Sequence, residues 1–164
     1  MKINDDHMYH GAALTQVAEH ELFTSINAVR VAGKLSRSAF RVNESIGLYI
    51  KYAGKPVGPD YVFTYSKQNK KELESLNKLC EDVYLALACI KDRQICCVSL
   101  TDFRAWLSKR ESELGHSEDT STILVNLPAG KAFRLNMNQP NVRKKYLAKP
   151  QIVARNKFPS AMFE

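Results

Sequence analysis

What this chain lacks narrows its function first. It has four cysteines and no Cys-x-x-Cys pair. Cys96 and Cys97, adjacent on a predicted strand, point to opposite faces, so they do not ligate one metal together. Cys80, Cys89, Cys96 and Cys97 all lie in apolar segments and read as small core hydrophobes. No apolar run approaches the roughly 18–20 residues of a membrane span. The opening Met1-Lys2-Ile3-Asn4-Asp5-Asp6-His7 is polar and acidic where a signal peptide is basic and then apolar. A cytoplasmic protein without membrane association is expected.

Catalytic signatures are missing as well. Gly54-Lys55-Pro56-Val57-Gly58-Pro59 lacks the Gly-Lys-Ser/Thr ending with which a loop cradles phosphates, and there is no Gly-x-Ser-x-Gly elbow. His20-Glu21 lacks the second histidine of His-Glu-x-x-His. His7 and His10 sit in a polar leader, and His116 lies beside Glu118 and Asp119. All four histidines read as surface residues, with His10 or His20 a candidate general base because an imidazole titrates near neutrality.

Acid is scarce after residue 128. Residues 1–128 carry 16 Lys+Arg and 16 Asp+Glu, whereas residues 129–164 carry eight basic side chains against Glu164 alone. The whole net charge of +7 therefore sits in the last 36 residues. A neutral body with a cationic end localises attraction for an anionic partner. Arg143-Lys144-Lys145-Tyr146, Lys149, Arg155, Lys157 and Phe158 combine cations that neutralise phosphates with aromatics that stack on bases. A second patch comprises Arg30, Lys34, Arg37 and Arg41, with no acid among them. Nucleic acid is the expected partner, and Arg37, Arg41, Arg143, Lys144, Lys145, Tyr146, Lys149, Arg155 and Lys157 are the candidate contacts. The bland alternative is a solvated surface, or pairing with Glu111, Glu113, Glu118 and Asp119.

With 164 residues, 45% apolar and 25% charged, the chain suits one soluble domain with a real core. Its pattern predicts a helix over His10 to Phe23, a strand over Ser25 to Val31, and paired strands Ala39–Val42 and Ile46–Tyr52 around Asn43-Glu44-Ser45. A loop over Gly54 to Pro59 precedes the aromatic strand Tyr61–Tyr65. Ser66 reads as the cap of a helix from Asn69 to Asp82. A buried central strand over Val83 to Ile90 turns into Ile95–Leu100, and Thr101 reads as the cap of a helix from Asp102 to Glu113. Beyond a polar loop over Gly115 to Ser121, the segments 122–127 and 132–137 form a hairpin across Pro128-Ala129-Gly130. Phe133, Leu135 and Met137 share one face of it. Ile152, Val153 and Phe158 predict that the basic end packs back. The expected class is α+β: a mixed sheet flanked by helices in the order α-βββ-α-ββ-α, with a terminal hairpin and basic tail. It is one domain, with a body at 1–114 and the hairpin and basic segment at 115–164.

The order helix, meander, helix, strand over about residues 10–100, with Lys51 ending one strand and Pro59-Asp60 preceding another, resembles the core of the restriction-endonuclease-like, or PD-(D/E)XK, nucleases. The residue two before Lys51 is Tyr49 rather than an acid. The resemblance implies a nucleic-acid-interacting protein: a Mg²⁺-dependent nuclease or an inactive relative. In the nuclease, Glu44 and Asp60 would hold the metal, Lys51 would steady the attacking water, and Glu19 or Glu21 would complete the site. That reading places Glu44 and Lys51 in one cleft. The alternative is a non-catalytic accessory protein that forms a homodimer through the edge or apolar face of its terminal hairpin.

Overall fold

A computed structural model describes residues 1–164 apart from the side chains of 142–145. The helix α1 spans Asp5–Ala18, starting five residues before the expected His10 and ending five short of Phe23; Asn4 sets the start, as its Oδ1 accepts the His7 N–H and His7 Nδ1 accepts the Asn4 N–H. The polar leader is thus the first turn of the helix. Glu19 closes α1, and the chain turns into a meander of β1 (Ile26–Val31), β2 (Lys34–Val42) and β3 (Ile46–Ala53). Asn43 and Glu44 take positive φ in the β2–β3 turn, where the Asn43 amide oxygen accepts from the N–H groups of Thr24 and Ser25.

Strand β4 (Asp60–Tyr65) leads into α2 (Lys67–Leu79), which Ser66 caps as expected, in a reciprocal pair of bonds with Asn69. The chain returns as β5 (Asp82–Cys89), parallel to β3, and turns into β6 (Gln94–Ser99). Helix α3 spans Leu100–Leu114. Its cap is Ser99, whose Oγ accepts the Asp102 N–H, so Thr101 falls inside the helix. Then follow β7 (Ser121–Asn126), β8 (Phe133–Gln139), β9 (Val142–Tyr146), β10 (Gln151–Val153) and a 3₁₀ turn at Ser160–Phe163.

One sheet has the order β1-β2-β3-β5-β6, and the second has β10-β8-β7-β4, with β9 also on β8. The architecture is α+β. Because β4 pairs only with β7, the chain beyond the 115–120 loop is woven into the body rather than appended to it. Alternation sorts the first sheet into two cores. Tyr49, Leu85, Leu87, Cys96 and Val98 face inward to α2, α3 and the second sheet. Leu48, Ile50, Ala86, Ile95 and Cys97 face outward to Ala13 and Val17 of α1 and to Phe158 and Met162. Gly47 permits this layering, since a Cβ there would stand 2.8 Å from Leu76 Cγ of α2.

The apolar face of the terminal hairpin is not free for a second copy. Phe133, Leu135 and Met137 are fully buried in the inner core, and β8 is paired on both sides, by β7 and by β9 and β10. The basic end is no loose tail: it supplies two strands and the outer cover of the first sheet. No helix of the described residues is long and apolar enough to cross a membrane.

Candidate nucleic-acid interface

The most irregular stretch of the first sheet lies in β2. Ala28 pairs with Phe40 and Arg30 with Leu35, so the four residues Ser36–Ala39 stand opposite Val29 alone. Such a bulge bends a strand and re-aims its side chains, and it needs local partners to hold it. Ser36 Oγ accepts the N–H groups of Ser38 at 3.3 Å and Ala39 at 3.1 Å, and donates to Glu72 Oε2 of α2 at 2.5 Å. On the other side, His10 Nδ1 of α1 lies 2.9 Å from the Arg37 carbonyl oxygen. A carbonyl only accepts, so Nδ1 carries the proton and the neutral ring offers Nε2 as an acceptor. Burial lowers the His10 pKa, against the upward pull of Asp6 and of the Arg37 carbonyl.

The bulge divides two clefts. One, of about 480 Å³, opens between α1 and β2 and is lined by Asp6, His7, His10, Leu14 and Phe40 among others. The second, of about 540 Å³, opens between the β1–β2 hairpin and α2, with Lys34, Ser38, Gln68 and Glu72 in its walls. Leu35, Ser36 and Arg37 belong to both.

Close to the second cleft lies a cluster of polar side chains. Lys51 Nζ donates to the Thr64 carbonyl and, at 2.9 Å, to Asn69 Oδ1, and sits 5.0 Å from the centre of the Tyr65 ring. Burial lowers its pKa, while Glu72 acts to raise it. Beside it Tyr49 is fully buried with its hydroxyl unpaired among the described residues, and burial followed by the Glu72 charge pushes that hydroxyl's pKa up. Glu72 is the one acid among the residues lining this cleft. Chemically the arrangement offers cations at the mouth, one carboxylate held by a hydroxyl, and a lysine engaged on its neighbours.

The four residues expected to form a nuclease site are dispersed. Glu19 is exposed at the end of α1, and Glu44 is exposed in the β2–β3 turn. Lys51 lies five residues beyond the start of β3, about 16 Å along the strand from that turn. Asp60 opens β4 in the second sheet, buried, where its Oδ1 accepts from the Tyr146 hydroxyl at 3.1 Å. Glu44 and Asp60 therefore do not form a metal pair. Among the described residues no group of three or more His, Cys, Asp or Glu comes together as ligands. The expectation of a shared cleft for Glu44 and Lys51 fails because a strand separates them.

The expected phosphate contacts divide likewise. Arg37 is exposed on the wall between the clefts, while Arg41 is half-buried with its Nε unpaired among the described residues. Tyr146 is half-buried and its hydroxyl is spent on Asp60. Arg155 donates to the carbonyls of Lys131 at 2.7 Å and Pro128 at 2.9 Å, pinning the β7–β8 connection. Lys149 and Lys157 are exposed. The side chains of Arg143, Lys144 and Lys145 lie outside the described residues. Sequence reasoning missed Glu72, Asn69 and Ser36. Asn69 and Glu72 share the three-and-four spacing of Leu73 and Leu76, and that spacing put them on the buried side of α2.

No family model, curated protein or solved structure matches the chain.

Proposed function

We propose that this protein binds nucleic acid through the β1–β2 hairpin and the adjoining cleft, without cutting it. One observation carries the reading. Arg30, Lys34 and Arg37 are exposed and Arg41 half-exposed on a hairpin that has no acid from Asn27 to Asn43. None of the four forms an ion pair among the described residues. Uncompensated cations along one hairpin attract a phosphate backbone and release its counterions. The three-strand meander followed by a helical crossover to a parallel strand supports kinship with the restriction-endonuclease-like proteins. The dispersal of Glu19, Glu44, Asp60 and Lys51 favours an inactive relative over a Mg²⁺-dependent nuclease.

The test is fluorescence anisotropy with labelled single- and double-stranded DNA and RNA across salt concentrations. Wild-type affinity should fall steeply with salt, and Lys34→Ala and Arg37→Ala should each flatten the log–log slope by about one. Equal binding by wild type and the double variant would sink the assignment of this face. Cleavage products on adding Mg²⁺ would restore the enzymatic reading.

A further inference from the structure

The cleft between α1 and β2 has a composition that phosphate contact alone does not explain. Its walls carry Leu14, Leu35 and Phe40, and Leu35 is 55% exposed at the rim although it belongs to a hairpin otherwise edged with cations. Its α1 side carries acceptors. His10 Nε2 holds a lone pair because Nδ1 is committed to the Arg37 carbonyl, and no described residue bonds it. Asp6 accepts from the Tyr52 hydroxyl at 2.9 Å through Oδ1, while Oδ2 has no partner among the described residues. Asp6 and His10 are four residues apart on α1, hence neighbours on one helix face. A ligand for this cleft is therefore flat or apolar in body and presents N–H donors at its edge.

We propose that the cleft receives one unpaired nucleobase, guanine by preference, from a single strand whose backbone crosses Lys34 and Arg37. The proposal rests on the nucleic-acid reading and specifies its substrate. Arg37 lines both clefts, so a phosphate held there has its own base within reach of the α1 side. At about 480 Å³ the cleft falls in the range of roughly 300–1,000 Å³ typical of ligand sites. Guanine presents N1–H and N2–H side by side on its Watson–Crick edge, two donors for the two free acceptors that Asp6 and His10 bring to the α1 side. That edge is hidden in a duplex and open in a single strand, where bases are read by hydrogen bonds and packed on apolar side chains.

Gly11 gives a clean test. It lines the cleft, and a Cβ built on it meets nothing within 4 Å. Gly11→Leu fills the space without changing charge, and Leu is a better helix former than Gly. Its melting temperature should therefore not fall below wild type, which the thermal unfolding curve checks. The probes are labelled thymine strands of about twelve nucleotides, with and without one central guanine, and the guanine strand in a duplex. Wild type should hold the guanine strand about tenfold more tightly than either all-thymine strand or duplex. Gly11→Leu should lose that preference and keep the all-thymine affinity and its salt slope. If wild type binds all three alike and Gly11→Leu changes nothing, the base cleft is overturned while the phosphate contact stands. If wild type binds none of them at low salt, the nucleic-acid reading fails and the cleft with it.

Discussion

Two side chains of opposite chemistry hold one distorted strand. Ser36 gives its proton to Glu72 and receives two backbone N–H groups, so Ser36→Ala leaves a carboxylate and buried amides short of partners. We expect the loss to cost about 1.5–3 kcal/mol, read as a lower urea midpoint at unchanged m-value. His10 adds a pH signature. Its folded pKa lies below 6.5, so between that lowered value and 6.5 the unfolded chain binds more protons than the folded one. The stability linked to this ring is complete above 6.5 and is lost as the pH falls toward the folded value. His10→Gln should flatten the stability profile in that window while the acid limb from the carboxylates persists, as paired urea titrations would reveal. A buried imidazole that charged easily would show the opposite slope.

At the scale of elements, α2 is fastened to the sheet by close approach. Gly47→Ala places a Cβ 2.8 Å from Leu76 Cγ and 3.0 Å from Val83 Cγ2, on a strand whose neighbours cannot move far. A loss of about 1–3 kcal/mol follows, checked by denaturation of the variant. Most elements were legible because their signals are local. The aromatic strand β4, the Ser66 cap and the apolar run of β5 announced themselves by residue type and spacing. The start of α1 was not legible from hydrophobic rhythm, because Asn4 and His7 define it through a reciprocal side-chain bond. The candidate site was legible only in its cations. Arg37 and Lys51 drew notice as charges, but Glu72 looked like one more solvent-facing acid on a charged helix. What sets it apart is a partner, Ser36, that lies 36 residues away in the chain. The bulge in β2 was invisible for the same reason: it is a property of register between strands.

For the whole molecule, the concentration of charge at the carboxy-terminal end did not mean a detachable arm. Phe133, Leu135 and Met137 are fully buried, and Phe158 and Met162 cover the outer face of the first sheet. At about 1.5–3 kcal/mol for each large apolar side chain buried, removing them takes away a sum comparable to the whole margin of a typical domain. A chain ending at residue 128 should show no cooperative thermal transition, whereas Lys149→Ala and Lys157→Ala, on exposed side chains, should melt like wild type. The charge of this end is therefore to be probed by substitution. A truncated chain that melted cooperatively near the wild-type temperature would overturn this account of the core. Arg110 shows how tightly the two parts are joined: its guanidinium, on α3, meets Glu118 at 2.5 Å and also donates to the Asn138 carbonyl on β8.

The pairing of β4 also has a consequence in time. Tyr61, Phe63 and Tyr65 are synthesised early, yet Asp60 finds its partner at Asn126 and Tyr65 at Ser121. While those residues are still to be made, the nascent chain carries an aromatic, strand-forming segment with no edge to join. Such segments associate with other chains and recruit chaperones. Growth temperature and translation rate should therefore govern the yield of folded protein more strongly than they would for a fold closed by local hairpins.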